Sequence, residues 1–370
     1  MKLVQLERDA LLKPLQAVTG IVEKRHTLPI LSNVMLERKG AHLTLMATDL
    51  EIQVATRTGL GKGGGDDAGL TVSARKLQDI LRSLPEGSDT LLDVQNNRLQ
   101  VRSGKSRFNL QTLPVADFPA MADPGVAQAK VTMPQKALRE LLMLVQYAMA
   151  QQDIRYYLNG LLLALDGGQM KVIATDGHRL SFAARPLGQQ QEKREVIVPR
   201  KAVLELGRLL SDSDDSVELE IFANLVRFSF GDTHLTSKII DGKFPDYTRV
   251  VPTNYQKRFS IKRHDLLQSL QRAAILANEK FRGVRWMVAP NVLRISCTNN
   301  EQEEAQEELE ISYSGDAIDI GFNIMYVLDV LNNVHSEEVE CAFGGDANSS
   351  MLVTVPDNRE FRYVVMPMRI

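Results

Sequence analysis

The sequence predicts an α+β chain built from three copies of one unit, each with two helices packed on antiparallel sheets. The first observation is a repeated strand end. The stretch Val172-Ile173-Ala174-Thr175-Asp176-Gly177-His178-Arg179-Leu180 has a relative about 127 residues earlier, Leu45-Met46-Ala47-Thr48-Asp49-Leu50-Glu51, and another about 123 residues later, Ile295-Ser296-Cys297-Thr298-Asn299-Asn300-Glu301. Each is an apolar strand ending in a small residue, a Thr and an Asp or Asn, and recurrence at a fixed period marks a repeated architecture. The second observation is what flanks them. Amphipathic runs with helical period precede each copy (11–22, 138–149, 266–277) and follow it (74–84, 200–210, 323–334). The third is a shared ending in strands with a Pro-bearing exit, where Phe118-Pro119 and Phe244-Pro245 match directly. These observations divide the chain at 1–126, 127–255 and 256–370, in line with the two to three domains that 370 residues allow.

In the first unit an N-terminal strand leads to Asp9, an N-cap candidate for a helix starting at Ala10, with Pro14 in its early turns. Strands follow at 32–38, 43–47 and 51–58, several alternating with period two. The loop 59–69 contains Gly59, Gly61 and Gly64 at dinucleotide-fingerprint spacing. A strand signal follows instead of the helix N-terminus that would hold pyrophosphate, so it reads as a hairpin loop. Ser73 is placed to cap the second helix, and Asn96-Asn97 to turn a hairpin. Residues 117–129 and 251–256 read as linkers. In the last unit, 301–310 is rich in glutamate.

No run of eighteen apolar residues occurs, and the N-terminus alternates like a strand rather than forming a leader, so a cytoplasmic, nucleoid-associated protein is expected. Cys297 and Cys341 fall on strand signals without metal or redox spacing. The net charge is −2, but it is unevenly spread: the six helical segments carry about +9 and the rest about −11. Basic helices on an acidic body form an electrostatic footprint for a polyanion.

No catalytic constellation stands out. The six histidines never pair at the i,i+4 spacing of a helical zinc site. Asp176 and His178 are two apart, which on a strand sends them to opposite faces, and Asp176 is expected to cap its own turn. The acidic run lacks the glycine of a calcium loop. No cofactor or metal is implied. A nucleic-acid-modifying enzyme would need a cluster that is missing, and a single-strand binder would need aromatic platforms that a 6% aromatic content does not favour.

Several longer motifs carry a resemblance. They are Leu11-Leu12-Lys13-Pro14-Leu15-Gln16, Thr27-Leu28-Pro29-Ile30-Leu31, Arg102-Ser103-Gly104-Lys105-Ser106-Arg107-Phe108 and Gln152-Asp153-Ile154-Arg155-Tyr156-Tyr157-Leu158-Asn159-Gly160. The middle repeat adds Ala174-Thr175-Asp176-Gly177-His178-Arg179-Leu180 and Ile197-Val198-Pro199-Arg200-Lys201. The last repeat adds Asn278-Glu279-Lys280-Phe281-Arg282-Gly283-Val284-Arg285 and Tyr363-Val364-Val365-Met366-Pro367-Met368-Arg369-Ile370. Along its whole length the chain resembles the bacterial β sliding clamps, the processivity factors of the replicative DNA polymerase. It departs in its final Ile370, where Leu is usual, and in a longer glycine-rich loop at 61–69.

The resemblance implies a non-catalytic, head-to-tail homodimer closed into a ring around duplex DNA, with about a dozen helices lining the hole. It implies sequence-independent DNA contact by Arg25, Gln151, Gln152, Tyr157, Arg200 and Lys201, to which the basic helix adds Arg75, Lys76 and Arg82. Partners would be the polymerase catalytic subunit, the clamp loader and clamp-motif peptides of other replication and repair proteins, with no membrane. Their peptide cleft would be formed by Arg155, Leu158, Thr175, Gly177, His178, Arg179, Leu180, Pro245, Val250, Val251 and the tail residues Val364, Val365, Met366, Pro367, Met368 and Arg369. The dimer is expected to pair the edge strand 105–110, with Lys105 and Arg107, against the acidic run with Glu301 and Glu304, while Phe108 and Leu110 meet Ile275 and Leu276.

Overall fold

The computed structural model describes residues 2–23, 28–60, 67–345 and 348–369, so Arg25 and most of the glycine-rich loop lie outside the described residues. Six α-helices occur among them: α1 (Arg8–Thr19), α2 (Ala74–Ser83), α3 (Gln135–Val145), α4 (Arg200–Leu209), α5 (Arg263–Ala273) and α6 (Ile324–Asn333). Helical period explains what each buries. On α2, Ala74, Leu77 and Leu81 face the core, which turns Arg75, Lys76, Asp79 and Arg82 to solvent. On α1 the buried stripe is Leu11, Leu12, Leu15 and Val18.

Three local expectations change. The first helix starts at Arg8 with Glu7 at the N-cap, so Asp9 lies in its first turn, where its charge favours the helix dipole, and does not cap it. Pro14 is then inside the helix and leaves the Ala10 carbonyl without its i+4 donor. Ser73 occupies the N-cap position of α2, but its hydroxyl makes no cap bond. Asn96 and Asn97 do turn a hairpin, both at positive φ (52° and 57°), as a two-residue turn between twisted strands requires.

The strands form sheets of twelve, six and four, all with antiparallel neighbours. By contacts the chain groups into two compact units. One comprises residues 1–139 with 201–239, and the other 140–200 with 240–370, so the middle repeat contributes to both. The reason is strand pairing across repeats. In the first unit, strand Ile52–Gly59 of repeat one pairs with Thr233–Lys238 of repeat two, Ile52 opposite Ser237 and Thr56 opposite Thr233. In the second unit, strand Arg179–Pro199 of repeat two pairs with Asn358–Val365 of repeat three, Arg179 opposite Val365 and Phe182 opposite Arg362. Both joints obey one rule: the strand after a Thr-Asp turn pairs with the last strand of the next repeat.

Two strands are left over by that rule. Glu304–Glu310 follows the third turn and is an edge strand, paired only with Val292–Thr298. Ser106–Leu113 is the last strand of repeat one. It pairs with Arg98–Ser103 on one side, and on the other only Thr112 and Leu113 find partners. The edge expected at 105–110 is therefore a half-open strand that begins at Ser106, with Lys105 in the preceding tight turn. Glu301 likewise precedes its strand, in the turn at 299–302.

Candidate functional site

The repeated stretch builds the same turn twice and a longer variant of it once. Thr175 Oγ1 donates to the Arg179 carbonyl (2.6 Å) and accepts from Gly177 N (3.1 Å), while Asp176 Oδ1 accepts from His178 N and Arg179 N. Thr48 and Asp49 make the equivalent bonds to Ile52, Leu50 and Glu51. Asn299 Oδ1 accepts from Glu301 N and Glu303 N, in a turn one residue longer. The capping role expected of Asp176 is thus seen, and Asp176 and His178 sit in a turn rather than on a strand. Each turn has one residue at positive φ: Leu50 at 78°, Gly177 at 89° and Gln302 at 64°.

Only the middle turn has a glycine there, and an arginine side chain lies close against it. A Cβ on Gly177 would stand 2.9 Å from the Arg155 guanidinium. That guanidinium is held in place by a two-point bond to Asp153 (3.0 and 2.9 Å) and donates to the Asp176 carbonyl at 3.2 Å. The Arg155 hydrogen bond, foremost, draws the half-buried Asp153 carboxyl down to about 2.

Beside this turn lies an apolar surface. Leu162, Ile173, Leu180, Ile197, Phe244 and Val364 form a buried cluster, onto which Tyr157, Phe182, Ile240, Tyr247, Val251 and Leu352 pack in part. Cross-strand partners share a face, and the register accounts for the membership: Leu162 faces Ile197, Thr175 faces Leu180, Ile173 faces Phe182, and Leu180 faces Val364. The tail then crosses the turn. Met366 N donates to the His178 carbonyl (2.8 Å) and Met368 N to the Gly321 carbonyl (2.9 Å). Met366, Arg369, Val250, Pro245, Gly177 and His178 are exposed at the rim, and Leu158 is buried.

Two residues expected in the cleft face the other way. Arg179 and Val365 are paired neighbours on the opposite face of the sheet. The Arg179 side chain is buried, where it bonds Asp176 and Asp329, donates to the Tyr147 carbonyl, and lies 4.4 Å from the Tyr326 ring centre. Burial works against its charge, but Tyr363, Asp329 and Asp176 outweigh that and raise its pKa. On the same face Ser181 donates to the Leu144 carbonyl and Tyr363 to the Tyr326 carbonyl. Arg179 therefore fastens this sheet to its helices; strand alternation, applied to 179 and 180 together, predicts as much.

The residues proposed to meet DNA are dispersed. Arg75, Lys76 and Arg82 are exposed on α2, and Arg75 donates to the Val22 carbonyl (2.9 Å). Gln151 and Gln152 are exposed, Gln152 at φ 55°. Arg200 is half-buried and donates to the Met149 carbonyl, and burial, then Arg179, lowers its pKa. The Lys201 ammonium is already met by Asp49 and Glu23. Tyr157 packs on the cleft cluster, whereas its neighbour Tyr156 stands exposed.

Sequence reading missed Asp153, which positions Arg155, and the floor residues Leu162, Ile173, Phe182, Ile197 and Phe244. Leu162, Ile173, Phe182 and Ile197 lie on long strands whose apolar runs are buried on both faces, so no alternation marks the cleft side, and Phe244 lies outside those strands. Cys297 and Cys341 are buried free thiols, pushed up by burial to about 11 and about 12.

Comparison with known proteins places this geometry. The family models of the DNA polymerase III beta subunit match throughout: the N-terminal domain over residues 1–122, the central domain over 132–246 and the C-terminal domain over 248–369. The beta sliding clamp of Pseudomonas aeruginosa is 45% identical over 368 residues, and that of Escherichia coli K12 46% over 365, each with 99% of both chains covered. The crystal structure of the DNA polymerase III subunit beta from P. aeruginosa superposes with a TM-score of 0.96 at 44% identity over the whole of both chains. A P. aeruginosa clamp bound to griselimycin matches at 0.95, covering 99% of both chains at 44% identity.

Proposed function

Since the chain belongs to the DNA polymerase III beta subunit family, the sliding clamps, we propose that two copies close head to tail into a ring and that the cleft at Gly177 takes partner peptides. The observation that carries the ring is the joint rule. Two joints form within one chain, and the strands left over are the halves of a third. A second copy completes it, with Ser106–Leu113 of one subunit against Glu304–Glu310 of the other. Such an interface is heterologous and closes only if the rotation does.

The faces match. Phe108 and Leu110 share a face with buried Val101 and Leu99. Glu307 lies on the helix-side face of its strand, bonded to Ser269 and Arg272 of α5. Joining like faces brings Phe108 and Leu110 beside Ile275 and Leu276, which follow α5 directly. Lys105 and Arg107 then lie with Glu304 and Glu308 on the solvent face, opposite in sign.

The protein's work is non-catalytic, performed by topology. Basic helices attract the phosphate backbone without reading bases, so the ring slides. The cleft supplies the tether, and the polymerase subunit, the clamp loader and clamp-motif peptides of other replication and repair proteins are its proposed partners. The setting is cytoplasmic and nucleoid-associated; among the described residues no helix is long and apolar enough to cross a membrane. Retention on DNA tests the reading. The ring stays on circular or end-blocked duplex and runs off open linear duplex, and equal retention on both would overturn it.

A further inference from the structure

Continuous with the cleft, on the same sheet face, lies a groove of about 820 Å3. The register fixes its composition. Val364 faces Leu352, Leu352 faces Ala342, and Ala342 faces Arg258; Thr354 faces Glu340; Phe182, at the cleft edge, faces Arg362. Leu352 and Val251 belong both to the groove wall and to the packing around the cleft cluster. The opposite face of these strands meets α5 and α6, so the groove looks away from the helices.

Three arginines line it, and their partners differ. Arg258 is matched by Glu340 at 3.5 Å. Arg362 donates only to the backbone carbonyls of Arg359 and Phe361, and Arg359 is exposed. Among the described residues no carboxylate pairs with either. Two unmatched guanidinium groups thus stand at the end of an apolar cleft. Planar guanidinium recognises carboxylate in a two-point geometry.

We propose that this groove extends the peptide cleft and takes an acidic residue flanking the apolar anchors of a partner peptide. The inference rests on the reading of the cleft and adds a charge preference to it. An exposed pair contributes little alone, so the effect is selectivity among partners rather than most of the affinity.

The test uses fluorescence anisotropy with the full-length dimer and synthetic ten-residue peptides that carry Leu and Phe anchors. One set has an Asp-Asp pair, placed at either end, and the control has Ser-Ser there. At low ionic strength one acidic peptide binds about two- to thirtyfold tighter than the control, the range two exposed pairs supply. The advantage disappears at high salt and in Arg359→Ser/Arg362→Ser, which binds the Ser-Ser peptide like the parent. Equal binding of acidic and neutral peptides, or an advantage that survives the double substitution, overturns the groove and leaves the cleft standing. Failure of every peptide to bind overturns the cleft itself. If the double substitution weakens binding of a short duplex and not of the acidic peptide, the groove serves nucleic acid and the proposal is wrong.

Discussion

Replacing Ile275 and Leu276 together with Ala tests the proposed interface where apolar contact is concentrated. Ile275 is 78% exposed in the single subunit and Leu276 is half-buried. Fully burying such a side chain contributes about 1.5–3 kcal/mol. Most of that is available for Ile275 and part of it for Leu276, so truncating both removes about 2–4 kcal/mol from each interface. A ring of two subunits has two interfaces, which brings the loss to about 4–8 kcal/mol, about three to six orders of magnitude in dissociation constant. Sedimentation at low micromolar concentration should show folded monomers. Their thermal midpoint should stay close to the parent's, because a side chain as exposed as Ile275 supports little of the subunit core. A variant that still sediments as a dimer at that concentration would refute this placement of the third joint.

Four further outcomes follow from the same geometry. Arg75→Gln with Arg82→Gln should reduce the salt slope of duplex binding by roughly one for each phosphate contact removed, and Lys201→Ala should change it less, because Asp49 and Glu23 already meet that charge. Gly177→Ala should destabilise the turn by about 1–2 kcal/mol from positive φ and also displace Arg155, lowering peptide affinity; Gly40→Ala, at φ 56° with open space around it, should leave that affinity alone. Burial raises the pKa of both Tyr147 and Tyr363, so their contribution to stability is full below the unfolded value of about 10 and falls as pH rises beyond it; an absorbance titration should find these two ionising only as the protein unfolds, and reversible titration of all the tyrosines near their ordinary value would contradict it. Deleting residues 366–370 should leave a stable dimer that still encircles DNA but no longer binds polymerase or clamp loader, and normal binding of both would remove the tail from the cleft.

Much of the fold was legible because its signals are local. Helical period located all six helices, and Asn96-Asn97 marked a two-residue turn that its positive φ values bear out. The helix start at Arg8 was not legible, since Asp9 is equally at home as a cap or in a first turn. Strand pairing between repeats was hidden for a different reason. Ile52 and Ser237 are 185 positions apart, and nothing in either segment alone names the other. The open stretch of Ser106–Leu113 was anticipated from charge, yet its partial pairing at Thr112 and Leu113 depends on where another strand ends.

The site divides along the same line. Its turn was legible as a motif and its apolar tail as composition, whereas the direction of Arg179 depended on register. The three turns sharpen this point. Thr48-Asp49, Thr175-Asp176 and Thr298-Asn299 stand at matching places, and in each the Asp or Asn side chain caps the turn, so the motif that first organises the sequence is structural in every copy. What distinguishes the middle copy lies outside the motif. Arg155, fixed by Asp153, lies against the glycine at the positive-φ position, and the C-terminal strand adds Val364 beside Leu180 and sends Met366 across the turn to His178. The first turn has the same crossing, Lys238 N to the Glu51 carbonyl, but polar Gln53 and Thr236 pair there where the middle copy pairs Leu180 with Val364. Repetition therefore supplies the scaffold and the joint, and the proposed binding site arises from the apolar residues and the arginine that one of these joints carries.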